Sequence, residues 1–307
     1  MGIRASGNFE TFAISGNETG NRFDSGASRR KFLKALAMAG AGAILPRSGL
    51  IAQVISPSVR PLAGRIDVHH HLFPPFYIKA MEDQSRAGGF NPRPWTPATS
   101  IDMMDKHGIA TAFVSPVQRL VMDSMSDRSE KGRSLARQNN EYGAQMVKDY
   151  PGRFGHFAAL PLPDTDGSLK EIAYALDVLK ADGFALWTSY MDKWMGDPSF
   201  APVYEELNHR NAVVFVHPAR ASCCRSLPGQ SGIIEYDIDT AHAGRAPALD
   251  ALKDIVPVSQ IMYGSDAPIR NYELTDEWLV QYAGFSEDDW KAINRGNAER
   301  LFPRLKS

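Results

Sequence analysis

The chain has 307 residues, with 34 Lys and Arg against 35 Asp and Glu, a formal charge of −1 and 43% apolar residues. Near-neutrality excludes the basic surface that nucleic acid or an anionic membrane selects, so neither is expected as a partner. The apolar fraction is that of a globular domain, and two adjacent cysteines, Cys223 and Cys224, supply neither a disulfide framework nor a thiolate zinc site.

In chain order, residues 1–26 are rich in Gly, Asn, Ser and Thr and bury too little to offset the entropy of ordering, so disorder is expected. Ser28-Arg29-Arg30-Lys31-Phe32-Leu33-Lys34 follows, then small apolar residues from Ala35 to Leu45 and Pro46. This pattern resembles a twin-arginine export signal, and its apolar stretch is shorter than the ~20 residues that span a bilayer. Cleavage after Leu50-Ile51-Ala52 leaves about 255 residues, close to the ~250 of one (β/α)₈ barrel. The expected organisation is therefore a leader and signal over 1–52 and one domain over 53–307, with an exported, periplasmic product.

Apolar or β-branched runs bounded by Gly and Pro predict buried strands at Arg65–His69, Thr111–Ser115, Phe157–Leu160, Phe184–Thr188, Val213–His217, Ile233–Asp237 and Gln260–Asp266. Helical patterns with start and stop signals lie between them: Ser100–His107 before Gly108, Ser129–Tyr150 before Pro151, Ser168–Ala181, and Ser199–Arg210 after Pro198. Ser286-Glu287-Asp288-Asp289 opens a last helix with a capping-box pattern and runs to about Leu301. Strand, helix, strand in alternation means parallel βα units, hence an α/β fold of TIM-barrel type.

The first strand ends Asp67-Val68-His69-His70-His71. Alternation puts His69 and His71 on one side, the cavity side at a barrel's C-terminal mouth, and turns His70 away. The fifth strand ends at His217 and the last at Asp266. Three imidazoles and a carboxylate converging there would bind one divalent ion and leave a place for water. Trp187, at the end of the fourth strand, is a candidate for packing a planar substrate, with ordinary core packing as the alternative. His107 lies where a cation caps a helix C-terminus, and His156 and His209 read as structural. Glu235, Asp237 and Asp239 share one strand face, as a solvated edge or as ligands.

Asp67-x-His69-x-His71, Val216-His217-Pro218, Tyr263-Gly264-Ser265-Asp266-Ala267-Pro268 and Asn297-Ala298-x-Arg300-Leu301-Phe302 resemble the amidohydrolase superfamily, in its second, amidohydrolase-related family. The branch most similar is that of aminocarboxymuconate semialdehyde, γ-resorcylate and methylsalicylate decarboxylases, and the likeness runs from about Arg65 to Pro303. It implies His69, His71, His217 and Asp266 as metal ligands, with Asp266 also moving a proton. No Lys stands in Leu186-Trp187-Thr188-Ser189-Tyr190, where binuclear relatives carry a carbamylated one. One divalent ion is therefore expected, Zn first and Mn second, with a small carboxylate as substrate and a homodimer as a possible assembly.

One interval departs from the pattern. Only 49 residues separate His217 from Asp266, whereas three βα steps need roughly 30 each. One βα unit is expected to be missing between strands five and eight. The relatives' Ser-His-x-Gly-Gly motif, whose His transfers the proton, is absent, and His242 is the nearest substitute. Three readings follow: an active decarboxylase of an aromatic or unsaturated acid; a hydrolase or hydratase of a lactone or amide; and a metal- or ligand-binding homologue without catalysis.

Overall fold

Five parallel strands form the main sheet in the order β1 (Arg65–Leu72), β2 (Ile109–Pro116), β3 (Phe154–Ala159), β4 (Gly183–Trp187) and β7 (Val214–His217). The computed structural model describes residues 63–79, 95–117, 130–191, 193–219, 239–243, 246–270 and 272–306, all within the unit Ser56–Ser307. The expected leader, the cysteine pair and the predicted strand Ile233–Asp237 lie outside the described residues.

Each parallel step crosses through a helix, as chain reversal between parallel strands requires. The helices are α1 (Pro97–Lys106), α2 (Glu130–Asp149), α3 (Thr165–Asp177) and α4 (Ala201–His209). A short hairpin of β5 (Ser189–Tyr190) and β6 (Lys193–Trp194) follows β4. Helix starts differ from the pattern reading where side-chain caps intervene. The Thr96 side chain accepts from Thr99 N in a capping box, so α1 begins three residues earlier than expected. Asp164 likewise caps α3 ahead of Ser168. β3 also starts early, at Phe154, because Gly152 at φ 79° makes the turn that ends at Arg153.

On its other side β1 is joined by the segment expected as the last strand. Val68 N donates to Tyr263 O (3.0 Å), Asp266 N to His69 O (2.8 Å) and His71 N to Ala267 O (2.7 Å). The sheet therefore curls as a barrel does. The contact runs as isolated bridges rather than a continuous ladder, since Asp266 adopts φ 60°, outside extended geometry. Asp239 in turn bridges Met262 in parallel. Between β7 and Asp239 the chain passes through residues 220–238, which lie outside the described ones and within the interval where a missing unit is expected. Among the described residues β7 is the sheet's edge, and its Val214 and Val216 are 37% and 38% exposed.

Two apolar layers hold the sheet. Inside the curl, Ile66, Val68, Phe113, Phe157 and Ala185 pack with Ala298 and Phe302. The Phe302 ring lies 4.1 Å from Phe113. It is delivered by α8 (Glu287–Lys291), a π-turn over Ala292–Gly296 and α9 (Asn297–Leu301). That closing segment plugs the strands' N-terminal ends, where Arg295 also bonds Gly64 O and Arg304 pairs with Asp182. Outside, the larger cluster joins the sheet to α1–α4 and to two helices the sequence reading did not identify, α6 (Ala246–Ile255) and α7 (Tyr272–Gln281); the four-residue α5 (Thr240–Ala243) precedes them. Among the described residues no helix is long and apolar enough to cross a membrane.

Candidate metal centre

The first two donors depend on a local irregularity. Strict alternation along β1 would put His69 on the face opposite Ile66 and Val68. The pairing with β2 slips by one residue between Asp67 and His70. This is a bulge of the kind that re-aims side chains beside sites. Ile66 and Val68 therefore face the inner core, and His69 and His71 face it too, with the His69 ring 5.0 Å from Phe215. His70 turns away, bonding Ser100 Oγ (2.9 Å) and the Tyr272 hydroxyl (2.9 Å).

His217 arrives from the end of β7, paired with Trp187, and its ring stands 5.0 Å from His69 and 5.1 Å from His71. Asp266 follows Ser265, whose hydroxyl donates to Asp67 Oδ2 (2.6 Å). Asp67 Oδ1 accepts from both the His69 and Ser265 amides, each at 3.1 Å. The left-handed Asp266 is a conformation non-glycine residues rarely hold, and this buried network over-determines it. One ligand atom from each of His69, His71, His217 and Asp266 lies within 4.8 Å of the other three.

The hydrogen bonds select the imidazole tautomers that a metal needs. His217 Nδ1 donates to Pro218 O (2.7 Å) and His69 Nδ1 to Asp239 Oδ2 (3.0 Å), while His71 Nδ1 faces Ser115 Oγ (3.3 Å). The carbonyl and carboxylate acceptors leave Nε2 of His217 and of His69 as lone-pair donors. His69 Nε2 and His71 Nε2 are 3.3 Å apart, and His71 Nε2 is 3.1 Å from Asp266 Oδ1. His217 Nε2 is buried and has no hydrogen-bond partner. A buried polar atom is ordinarily satisfied, so this nitrogen fits a metal. Burial holds the His71 pKa below the usual imidazole value, and burial followed by the neighbouring His69 and His71 holds His217 well below it. Both are neutral near pH 7, as ligands must be.

Asp239 completes the centre. Its Oδ1 accepts from Ala241 N (2.7 Å), while Thr240 Oγ1 exchanges hydrogen bonds with the Gly264 backbone (3.0 Å each). Gly264 has no freedom to change: a Cβ there would stand 2.5 Å from Asp239 Oδ1 and 2.8 Å from His69 Cβ. Beyond the donors, Arg270 Nε lies 3.4 Å from Asp266 Oδ2.

The structure thus gathers all four residues singled out as ligands. Trp187 is 1% exposed and packs edge-on against Tyr190 in the outer core. His242 lies on α5, and its side chain is outside the described residues. His107 caps α1 and stacks on Tyr272, bonded to Asp276 (2.9 Å). Sequence reasoning left Asp239 as a solvated edge or a ligand, and it missed Ser115, Asp67 as a brace and Arg270. An Asp-Thr pair at the exit of the penultimate strand was the one available signal, and it reads equally as a solvated edge until its partner is known.

A family model described as "Amidohydrolase" matches residues 66–243 and 229–304. "Decarboxylase macB" of Penicillium terrestre is 42% identical over 164 residues, which is 52% of this chain and 48% of that protein. The 6-methylsalicylic acid decarboxylase of Penicillium expansum is 36% identical over 163 residues, 50% of this chain and 48% of that one. The matched region thus spans about half the length of these curated relatives. Among solved structures, a dihydroxybenzoic acid decarboxylase from Polaromonas, described with manganese and the inhibitor 2-nitroresorcinol, superposes with a TM-score of 0.63 at 17% identity. It covers 80% of this chain and 98% of that one, a likeness of fold.

Proposed function

The chain belongs to the amidohydrolase family, and on that premise we propose that it is a metal-dependent, non-oxidative decarboxylase of an aromatic carboxylic acid. One observation carries the reading: three buried donors and the half-buried His217 converge within 4.8 Å with the tautomers of His69 and His217 fixed for metal binding. The relatives named as decarboxylases supply the reaction class. His69, His71, His217 and Asp266 would hold one divalent ion. The imidazole and carboxylate donors suit both Zn²⁺ and Mn²⁺, and the manganese of the structural neighbour favours Mn²⁺.

A bound ion supplies a Lewis acid that polarises the substrate's oxygens. The chain's residues supply the rest. Asp239, Ser115 and Pro218 O orient the three imidazoles. Asp266 is the proton carrier at Oδ2, the oxygen turned away from His71. It takes the proton of the substrate's ring hydroxyl and delivers it to the ring carbon bearing the carboxylate, the C–C electron pair then returns to the ring, and CO₂ leaves a phenolate product. His242 is a second candidate for this transfer, and His242→Ala against Asp266→Asn separates the two.

The test is purified protein loaded with Mn²⁺ or Zn²⁺. One ion per chain, lost in His217→Ala, together with CO₂ release from hydroxybenzoic acids, is expected. A full metal complement without turnover of such acids sinks the decarboxylase reading, and turnover of lactones or amides instead replaces it with hydrolysis. We further propose export by the twin-arginine route, supported by Arg29-Arg30-Lys31-Phe32-Leu33. Retention of an Arg29→Lys, Arg30→Lys variant in the cytoplasm checks it, and unchanged fractionation refutes it.

A further inference from the structure

Buried hydrogen bonds run from helix α1 to the carboxylate that braces the metal loop. Trp95 Nε1 donates to Ser100 Oγ (2.9 Å), Ser100 Oγ meets His70 Nε2 (2.9 Å), His70 Nδ1 meets the Tyr272 hydroxyl (2.9 Å), and that hydroxyl reaches Asp67 Oδ2 (3.3 Å). Each of these residues is 7% exposed or less, so every proton in the chain needs an acceptor. Counting donors fixes its direction. Among the described residues Ser100 Oγ has two partners, and Trp95 Nε1 can only donate. The Ser100 proton therefore goes to His70 Nε2, which puts the imidazole proton on Nδ1. Nδ1–H donates to the Tyr272 oxygen, and the Tyr272 proton is left for Asp67. The opposite tautomer would strand the Ser100 proton and take a hydrogen bond away from Asp67.

Asp67 is where the chain acts. Its Oδ2 also accepts from the Ser265 hydroxyl (2.6 Å), and its Oδ1 from the Ser265 and His69 amides. Ser265 Oγ in turn accepts from Ala267 N (3.0 Å), so Asp266 stands between two residues tied to this carboxylate, at φ 60°. Among the described residues, the Tyr272 hydroxyl is the one partner of Asp67 that comes from outside β1 and the Ser265 segment. We propose that Tyr272, at the start of α7, is a positioning residue for the metal ligand Asp266, acting through Asp67 and Ser265, with Trp95, Ser100 and His70 directing its proton to Asp67. The inference rests on the metal-dependent reading above and adds to it the residue that aims the carboxylate ligand.

The experiment compares wild type with Tyr272→Phe, Ser100→Ala and the double variant. Phenylalanine keeps the ring that stacks on His107 (4.9 Å) and removes only the donor. Calorimetry of the chelated proteins with Mn²⁺ reads affinity, the visible spectrum of the Co²⁺-loaded proteins reads ligand geometry, and circular dichroism verifies folding. Tyr272→Phe is expected to bind Mn²⁺ about 10-fold more weakly with a shifted Co²⁺ spectrum, and at saturating Mn²⁺ to lower kcat on hydroxybenzoic acids with KM within about threefold. Ser100 bonds neither Asp67 nor a metal donor, yet Ser100→Ala frees His70 to carry its proton on Nε2 and should weaken Mn²⁺ binding by about threefold. The double variant should lose no more than Tyr272→Phe, because the chain is already cut there. A folded Tyr272→Phe variant with the Mn²⁺ affinity and Co²⁺ spectrum of wild type overturns the assignment, with His70 Nδ1, 3.4 Å from Asp67 Oδ2, then bracing it directly. Additive losses in the double variant overturn the directed chain. Should Tyr272→Phe fail to fold, unchanged Mn²⁺ affinity in Ser100→Ala overturns the proposal by itself. Each of these results leaves the metal-binding reading standing, whereas a wild type that binds no metal refutes the function on which the inference rests.

Discussion

Asp239→Asn is the sharpest probe of the centre, because the substitution preserves shape and changes only what can donate. Asp239 Oδ1 accepts from Ala241 N at 2.7 Å, and Oδ2 accepts from His69 Nδ1 at 3.0 Å. An asparagine must keep its oxygen toward the Ala241 amide, so its NH₂ turns to His69. Nδ1 must then accept, the imidazole proton moves to Nε2, and Nε2–H points at the other donors. The alternative is to leave two buried donors facing each other, at about 1–3 kcal/mol. The first outcome removes His69 as a ligand in its resting form, and the second keeps it at that cost. Outer partners of metal-bound histidines are typically worth 10- to 100-fold in affinity, or about 1.4–2.7 kcal/mol. Isothermal titration of the chelated protein with Mn²⁺ and Zn²⁺ measures this, and circular dichroism verifies that the variant is folded. A folded Asp239→Asn variant binding metal within about threefold of wild type would refute the tautomer argument.

Other consequences concern the scaffold. A Cβ at Gly143 on α2 would stand 2.5 Å from His156 Nε2 and 3.0 Å from its Cγ, and that ring is buried. Gly143→Ala should therefore destabilise by about 1–2 kcal/mol, overpacking outweighing the ~1 kcal/mol helix gain. In a His156→Ala background the sign should reverse, and equal effects in both backgrounds by urea unfolding would refute the clash. Burial lowers the His156 pKa to about 4, from 6.5. The folded state thus resists a proton that the unfolded chain accepts, so this contribution, about 3 kcal/mol, is complete above pH 6.5 and is lost as pH falls toward 4. As pH falls through that window, chelated wild type should lose stability relative to His156→Leu in urea unfolding, and parallel curves would show no such linkage. Phe302→Ala removes the floor beneath Phe113 and Phe157 and should cost about 3–5 kcal/mol, read as an early melt in calorimetry; an unshifted transition would mean the inner layer holds without it.

Much of the architecture was legible because its signals are local. Gly108, Pro151 and Pro198 punctuate the helices, and the apolar runs locate β1, β2, β4 and β7 to within a few residues. Helix starts were misread where a cap lay ahead of the apolar pattern, at Thr96 and Asp164. The last strand was legible as a run of residues but not as isolated bridges, since the left-handed Asp266 follows from contacts with Asp67 and Ser265 rather than from its own preference. The helices α6 and α7 escaped notice although Pro257 and Gly284 stand just beyond their ends.

His-x-His and two strand ends single out the four residues that the structure brings together, but for a reason the structure amends. Alternation accounts for His69 and His71 sharing a side; the bulge accounts for that side being the one Ile66 and Val68 also occupy. The sequence alone determined the donor chemistry and the order in which it reaches the sheet, since residue type and period are local properties. Only the tertiary structure decided that His217 and Asp266, 49 positions apart, meet within a few ångströms, that Asp239 orients His69 and that Arg270 stands above Asp266. Those are distances between segments remote in the chain, set by how the sheet curls, and no local preference encodes them.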